Sequence, residues 1–136
     1  MWLTRNAIDG VPLGDAWRHP AAGGEGPTAG WVPFHKLTQW LAYSLFEPLE
    51  WAGARIGEPD ALTGLPEYRN GGLLLDTGLV VPRAHDWSTT TYTPADPWVI
   101  EWRALTVALL DELAPAVRTR LGADTLPLAC LLEGGS

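Results

Sequence analysis

The chain has 136 residues, enough for one domain built around one core. Apolar residues make up 46% and charged residues 18%, a globular rather than a disordered balance. The net charge of −7 repels phosphate backbones, so a nucleic-acid surface is not expected. A small anionic ligand held by a few local arginines is compatible with it.

Eight tryptophans is a high count for this length. Tryptophan buries a large area but carries one N–H that needs a partner. Such a set suits a core with a wet, ligand-facing edge, although any single tryptophan can simply fill space between helices. The lone cysteine, Cys130, rules out an internal disulfide and a cysteine zinc cluster. It lies in Leu128-Ala-Cys-Leu-Leu132 and reads as a small buried hydrophobe. No basic segment followed by an apolar run opens the chain, so no signal peptide is expected. No apolar run approaches the ~20 residues needed to span a membrane. A cytoplasmic protein is the default expectation.

Residues 1–32 are rich in Gly, Pro and Ala, and residues 2–4 suit a short strand or the tail of another element. Turn chemistry predicts a loop over residues 23–27. A helix is predicted from Pro33, since proline is favoured at the first helical position. Phe34, Leu37, Leu41 and Leu45 recur at helical spacing and define an expected buried face. Pro48 should kink this helix, or stop it before a restart toward Arg55. Residues 57–60 form a turn. Residues 62–72 are breaker-rich and predict loop or very short helical turns, with a short helix over 72–76. Residues 79–83 read as extended, and 85–93 as a polar loop.

Asp96-Pro97 is a strong helix start, with Asp as N-cap and Pro at the first helical position. The run to Leu121 is apolar at Val99, Ile100, Leu110, Leu113, Val117 and Leu121. Pro115 should kink it and Gly122 should cap its C-terminus. The expected class is mainly α: one helical domain over 1–136 with long loops.

Three groups of polar residues stand out. Lys36, Gln39, Tyr43 and Glu47 form one stripe along the first helix. A solvated face would explain it, and so would the wall of a ligand cavity, which Trp40 and Tyr43 favour because exposed aromatics are costly. Glu101 and Arg103 are the only charges in residues 98–110. Residues two apart on a helix do not face each other, so each needs a partner from another element. An unpartnered buried charge would cost several kcal/mol. Lys36, Glu67 and Arg69 are the candidate partners, in a structural ion pair or in a site. Finally, Glu67, Tyr68, Arg69 and Asn70 pack a carboxylate, a phenol, a guanidinium and an amide into four residues. Glycines follow, which would let backbone approach a ligand. A capped turn with a surface ion pair is the plainer explanation. His19 and His35 have no second ligand at helical metal spacing, so no metal site is expected.

Four stretches resemble a known family: Gly14-Asp-Ala-Trp-Arg-His-Pro20, Val32-Pro-Phe-His-Lys-Leu-Thr-Gln-Trp-Leu-Ala-Tyr-Ser-Leu45, Leu62-Thr-Gly-Leu-Pro-Glu-Tyr-Arg-Asn-Gly-Gly-Leu-Leu-Leu-Asp76 and Glu101-Trp-Arg-Ala-Leu-Thr-Val-Ala-Leu-Leu-Asp111. They look like domain of unknown function 1688, a family of fungal and bacterial proteins tied to uracil catabolism by a reductive-independent route. Members of that family are longer, so the resemblance implies an internal or C-terminal portion of a longer domain. More distantly, the chain is similar to queuosine salvage proteins, which hydrolyse a base–ribose bond. Their Lys-x-x-Gln helix resembles Lys36 to Gln39, their Asp-Tyr-Arg element resembles Glu67 to Arg69, and their Glu-x-Arg-Ala helix resembles Glu101 to Ala104. Here glutamate replaces the aspartate, and Asn70-Gly-Gly72 replaces a proline-containing continuation, so the substrates should differ.

That second resemblance implies a helical, glycosylase-like fold with Lys36 and Glu67 as the catalytic pair. Breaking a ribosyl–nitrogen bond builds positive charge on the sugar. A carboxylate beneath the sugar stabilises that charge and takes a proton from water. An adjacent ammonium favours the ionised carboxylate. Arg69 and Arg103 would hold a phosphate or sugar hydroxyls, and Trp40, Tyr43 and Tyr68 would stack on a planar group. Gln39, Asn70 and Glu101 complete the expected substrate-binding set. No cofactor is required, and the expected partner is a small molecule. A helical module that binds without catalysis is the rival expectation.

Overall fold

The computed structural model describes residues 6–83 and 86–134. The expected strand over 2–4, and His85 at the head of the polar loop, lie outside those residues. Among the described residues the architecture is mainly α, with four helices and two sheets of two strands each. No helix is long and apolar enough to cross a membrane.

The Gly- and Pro-rich opening is more ordered than its composition suggests. Strand β1 (Ala7–Ile8) pairs antiparallel with β2 (Val11–Pro12). Asp9 and Gly10 turn between them with φ of 49° and 79°, the double positive φ that a tight hairpin turn requires. Strand β3 (Ala16–Arg18) pairs antiparallel with β4 (Trp31–Pro33), matching Trp17 to Val32. The Asn6 side chain donates to the Ala16 carbonyl at 2.6 Å and ties the two hairpins together.

Pro33 therefore ends a strand and does not start a helix. Phe34 and His35 both donate backbone N–H groups to the Asp15 carbonyl, at 2.9 and 3.2 Å. His35 then adopts a left-handed conformation, and α1 runs over Lys36–Trp51. The helix passes through Pro48 without stopping there, and no helix restarts toward Arg55. Its expected buried face is not buried. Phe34 is covered, but it precedes the helix, while Leu37, Leu41 and Leu45 are 46%, 57% and 43% exposed. Helix α1 meets the rest of the described chain through its polar stripe instead.

Helix α2 (Tyr68–Asp76) contains the short helix expected over 72–76 but begins four residues earlier, in the stretch expected to be loop or very short helical turns, and takes Gly71 and Gly72 into its interior. Residues 79–83 form no strand; they bend back, with the Val80 N–H bonded to the Leu74 carbonyl. Helix α3 (Pro97–Leu121) starts after Asp96 and stops at a left-handed Gly122, the expected bounds, and continues through Pro115. The Asp96 carboxylate does not cap the helix but accepts from the Thr93 hydroxyl at 2.8 Å. The short α4 (Leu128–Gly134), which sequence periodicity does not reveal, folds back along α3. Cys130 lies on its outer side and is exposed, not buried, because α4 is covered only at Leu132.

Leu65, Leu74, Ile100, Ala114 and Leu132 form the core between the approach to α2, α3 and α4. Gly71 sets the α2–α3 distance. A Cβ at this position would come within 2.9 Å of the Trp102 indole and the Thr106 hydroxyl. The Trp102 N–H meanwhile donates to the Gly71 carbonyl at 3.1 Å. The glycine expected to admit a ligand admits a neighbouring helix.

Gly71→Ala should lower stability by about 1–3 kcal/mol, the usual cost of overpacking. Gly72→Ala meets open space and should raise it by about 0.5–1 kcal/mol through helix propensity. Urea denaturation of the two variants checks both signs.

Candidate functional site

The site is built from two fixed points. The first is the start of α1. The Asp15 carboxylate accepts the Lys36 backbone N–H at 3.3 Å, filling the capping place that the His35 side chain leaves empty. It also accepts the Trp17 indole N–H at 2.8 Å and both arms of the Arg103 guanidinium, at 2.8 and 2.7 Å. Arg103 reaches it from α3 and lies 4.0 Å over the Phe34 ring. Burial opposes charge on Asp15, but the bonds from Arg103, Trp17 and the Lys36 N–H outweigh it. They hold the carboxyl below its ordinary pKa.

The second fixed point is the loop leading into α2. The polar stripe of α1 faces this loop. Gln39 donates to the Phe34 carbonyl and accepts from the Thr63 N–H, both at 3.0 Å. Tyr43 donates to the Thr63 carbonyl at 2.9 Å. From the other side, Asp111 of α3 accepts the Gly64 N–H at 3.2 Å. Held on both flanks, the loop delivers Glu67 as the N-cap of α2. The Glu67 carboxylate does not cap its own helix. It meets the Lys36 ammonium at 2.9 Å, with both side chains about a quarter exposed.

Two cavities flank this pair. One, of about 180 Å³, is lined by Lys36, Glu67, Trp102 and Thr106. The other, of about 140 Å³, is lined by Trp40, Glu67, Tyr68, Arg69 and Asn70, with α4 along one side. Glu67 is common to both. A larger groove of about 620 Å³ lies against residues 124–128. Asp111 and Arg118 on its wall already bond backbone, so it brings fewer free functional groups together.

The sequence-predicted residues divide accordingly. Lys36, Glu67, Tyr68, Arg69, Asn70 and Trp40 come together. Tyr68 is 67% exposed, with Arg69 over its ring, so both stand at the rim. Gln39 and Tyr43 sit behind the site and hold the loop. Arg103 borders the larger of the two flanking cavities, but both arms of its guanidinium are taken by Asp15. Glu101 points elsewhere, its carboxylate 3.1 Å from His19 Nε2. The partners of Glu101 and Arg103 are thus His19 and Asp15, not Lys36, Glu67 or Arg69.

The tryptophans divide as well. Trp98 stacks with Trp87 and Tyr92 and touches Trp102, and among the described tryptophans only Trp40 reaches the smaller cavity. Asp15 is the residue that spacing arguments miss; its one signal is its place in the Gly14 to Pro20 stretch that carries the family resemblance. No cluster of three His, Cys, Asp or Glu able to hold a metal occurs among the described residues.

Because the folded pKa of Asp15 is depressed, its contribution is present above the unfolded value of about 4. It is lost as pH falls through the folded value. Asp15→Asn should cost about 3 kcal/mol at pH 7, as expected when one member of a buried pair is removed. The gap from wild type should close as pH falls below about 4, since a protonated Asp15 resembles the amide. Chemical denaturation across pH checks this, and a gap that persists at low pH would contradict it.

Comparison with known proteins fits this geometry into a family. The chain is 44% identical to "Uracil catabolism protein 4" of Lachancea kluyveri, over 97% of the chain and 35% of that protein. It is 42% identical to "Protein urg3" of Schizosaccharomyces pombe, over 100% of the chain and 34% of that protein. It therefore spans about a third of the length of the curated relatives it matches. No solved structure matches it significantly. Residues 1–136 match the family described as "Protein of unknown function (DUF1688)", and the chain belongs to that family.

Proposed function

We propose that this chain carries the catalytic centre of a hydrolase that cleaves a ribosyl–nitrogen bond during uracil breakdown. The observation that carries the reading is the 2.9 Å contact between Lys36 and Glu67 on the wall of one cavity, with Glu67 lining a second as well. The segments that supply the pair are those that resemble the catalytic segments of queuosine salvage proteins. The printed name of the Lachancea relative supplies the uracil context.

In this reading the sugar lies over Glu67. As the C1′–N bond breaks, positive charge grows on the ribosyl ring, and the carboxylate opposes it from below. Glu67 then takes a proton from the attacking water, whose oxygen bonds to C1′. The departing nitrogen keeps the bond's electron pair and gains a proton, so the net change is addition of water across C1′–N. Lys36, 2.9 Å away, fixes the carboxylate plane. Trp40 supplies an aromatic face for a planar leaving group, and Arg69 at the rim suits sugar hydroxyls or a phosphate. A ribosylurea, its phosphate or a pyrimidine nucleoside fits this description. The solution compartment that suits such a substrate is the cytoplasm.

In the full-length protein, Glu67→Gln should lower the release of free ribose from ribosylurea by roughly 10²–10⁴-fold, the usual contribution of a general base. Lys36→Met should cause a smaller loss in the same assay, because Glu67 stays in place but loses the ammonium that orients it. Unchanged ribose release by the Glu67→Gln enzyme, across ribosylurea, its phosphate and uridine, would end this reading.

A further inference from the structure

Asn70 has no role in the fold that accounts for its chemistry. It occupies the first turn of α2, three residues after Glu67, and is only 4% exposed. Its carboxamide makes no hydrogen bond to any described residue. Next to it on α2, the Gly71 carbonyl is paired with the Trp102 indole. The carboxamide is not among the fully enclosed side-chain polar atoms that lack a partner, so its small accessible surface is what the cavity reaches. Asn70 lines the smaller cavity beside Glu67, with Trp40 on the same wall, while Leu73, Leu74 and Leu132 crowd its other side.

We propose that Asn70 is the specificity residue of this site, reading a neutral group that presents an N–H donor beside a C=O acceptor: the amide, urea or imide edge of the leaving group. A carboxamide carries an acceptor oxygen and two N–H donors in one plane, the complement of such an edge. It carries no charge, so it offers nothing special to a phosphate or an ammonium. With Trp40 to stack on a planar group, the cavity favours a flat, uncharged, hydrogen-bonding leaving group and disfavours a bare hydrocarbon. A ligand that lacks the complementary edge leaves the amide buried and unpaired, and a site of this kind discriminates strongly on that ground. The assignment deepens the hydrolase reading and rests on it for the bond that breaks, but recognition is tested by binding alone.

The experiment uses the full-length protein carrying Glu67→Gln, so that bound ligand is not turned over. Calorimetric titration compares ribosylurea with its N′,N′-dimethyl derivative, and uridine with 3-methyluridine. The parent of at least one pair should bind roughly ten- to a hundredfold tighter than its methylated partner. Adding Asn70→Leu should remove that preference by weakening the parent, and adding Asn70→Asp, which keeps the shape, should do the same. Because Asn70 has no partner to lose, Asn70→Leu should leave Tm unchanged or raised. Survival of the preference in Asn70→Leu would overturn the assignment. So would failure of both parents to bind, or a fall in Tm with equal loss of every ligand, which would mark a structural amide. If the preference depends on Asn70 while ribose release in otherwise wild-type protein is indifferent to Glu67, the recognition role stands and the catalytic reading falls.

Discussion

The forked pair between Asp15 and Arg103 joins three parts of the chain at one carboxylate. Its carboxylate sits at the base of the β3–β4 hairpin, its guanidinium comes from α3, and the Lys36 N–H at the head of α1 bonds to the same oxygen that takes one guanidinium arm. The backbone carbonyl of Asp15 also holds Phe34 and His35, the residues that turn the chain into α1. Removing either charge leaves the other stranded among apolar neighbours and releases the helix start with it. A lysine in place of Arg103 would keep the charge but lose the fork and the stacking on Phe34. The amine that the proposed reaction uses belongs to Lys36, the residue whose backbone this pair positions.

The carboxylate opposite is placed by different means. Thr63 is bonded by Gln39 and Tyr43 from α1, and Gly64 by Asp111 from α3, so the approach to α2 is held from both sides. The loop needs these bonds because it carries few apolar residues besides Leu65 to bury. The result is a division of labour along the stripe of α1. Lys36 faces the site, while Gln39 and Tyr43 secure the segment that brings Glu67 to it. From Lys36 to Tyr43 the stripe is a seam, while Glu47 at its end is exposed, and spacing alone could not distinguish a seam from a solvated face or a ligand wall.

How far the sequence could be read depended on how local the governing interaction is. The bounds at Pro97 and Gly122 were legible because a proline's fixed φ and a glycine's left-handed backbone act within a turn of the residue that supplies them. Pro33 misled because proline suits a strand end as well as a helix start, and the choice was made by pairing with Ala16. The hairpin at Asp9-Gly10 had a local signal, but strands of two residues are too short to show a period. Helix α4, with seven residues, is equally short. The apolar face of α1 was read correctly as a face and wrongly as buried, because periodicity reports which side is apolar and not what covers it. The partner of Arg103 lies 88 residues away, a distance that no spacing rule bridges. The meeting of Lys36 with Glu67 was expected from a resemblance, not from the positions of the residues in this chain.

Gly71 and Asn70 show how packing and chemistry become coupled in adjacent residues. Without a Cβ at position 71, α2 settles against Trp102 and Thr106 closely enough to bury its whole first inward turn. Asn70 is carried down with it, beneath Leu132 of α4, where an apolar side chain of similar size would rest more comfortably. A helix that stood one methyl group farther from α3 would leave that amide nearer water, satisfied and indifferent to a ligand. The close approach converts an ordinary polar residue into one whose hydrogen-bonding capacity is held in reserve beside Glu67. The glycine thus shapes the site without lining it.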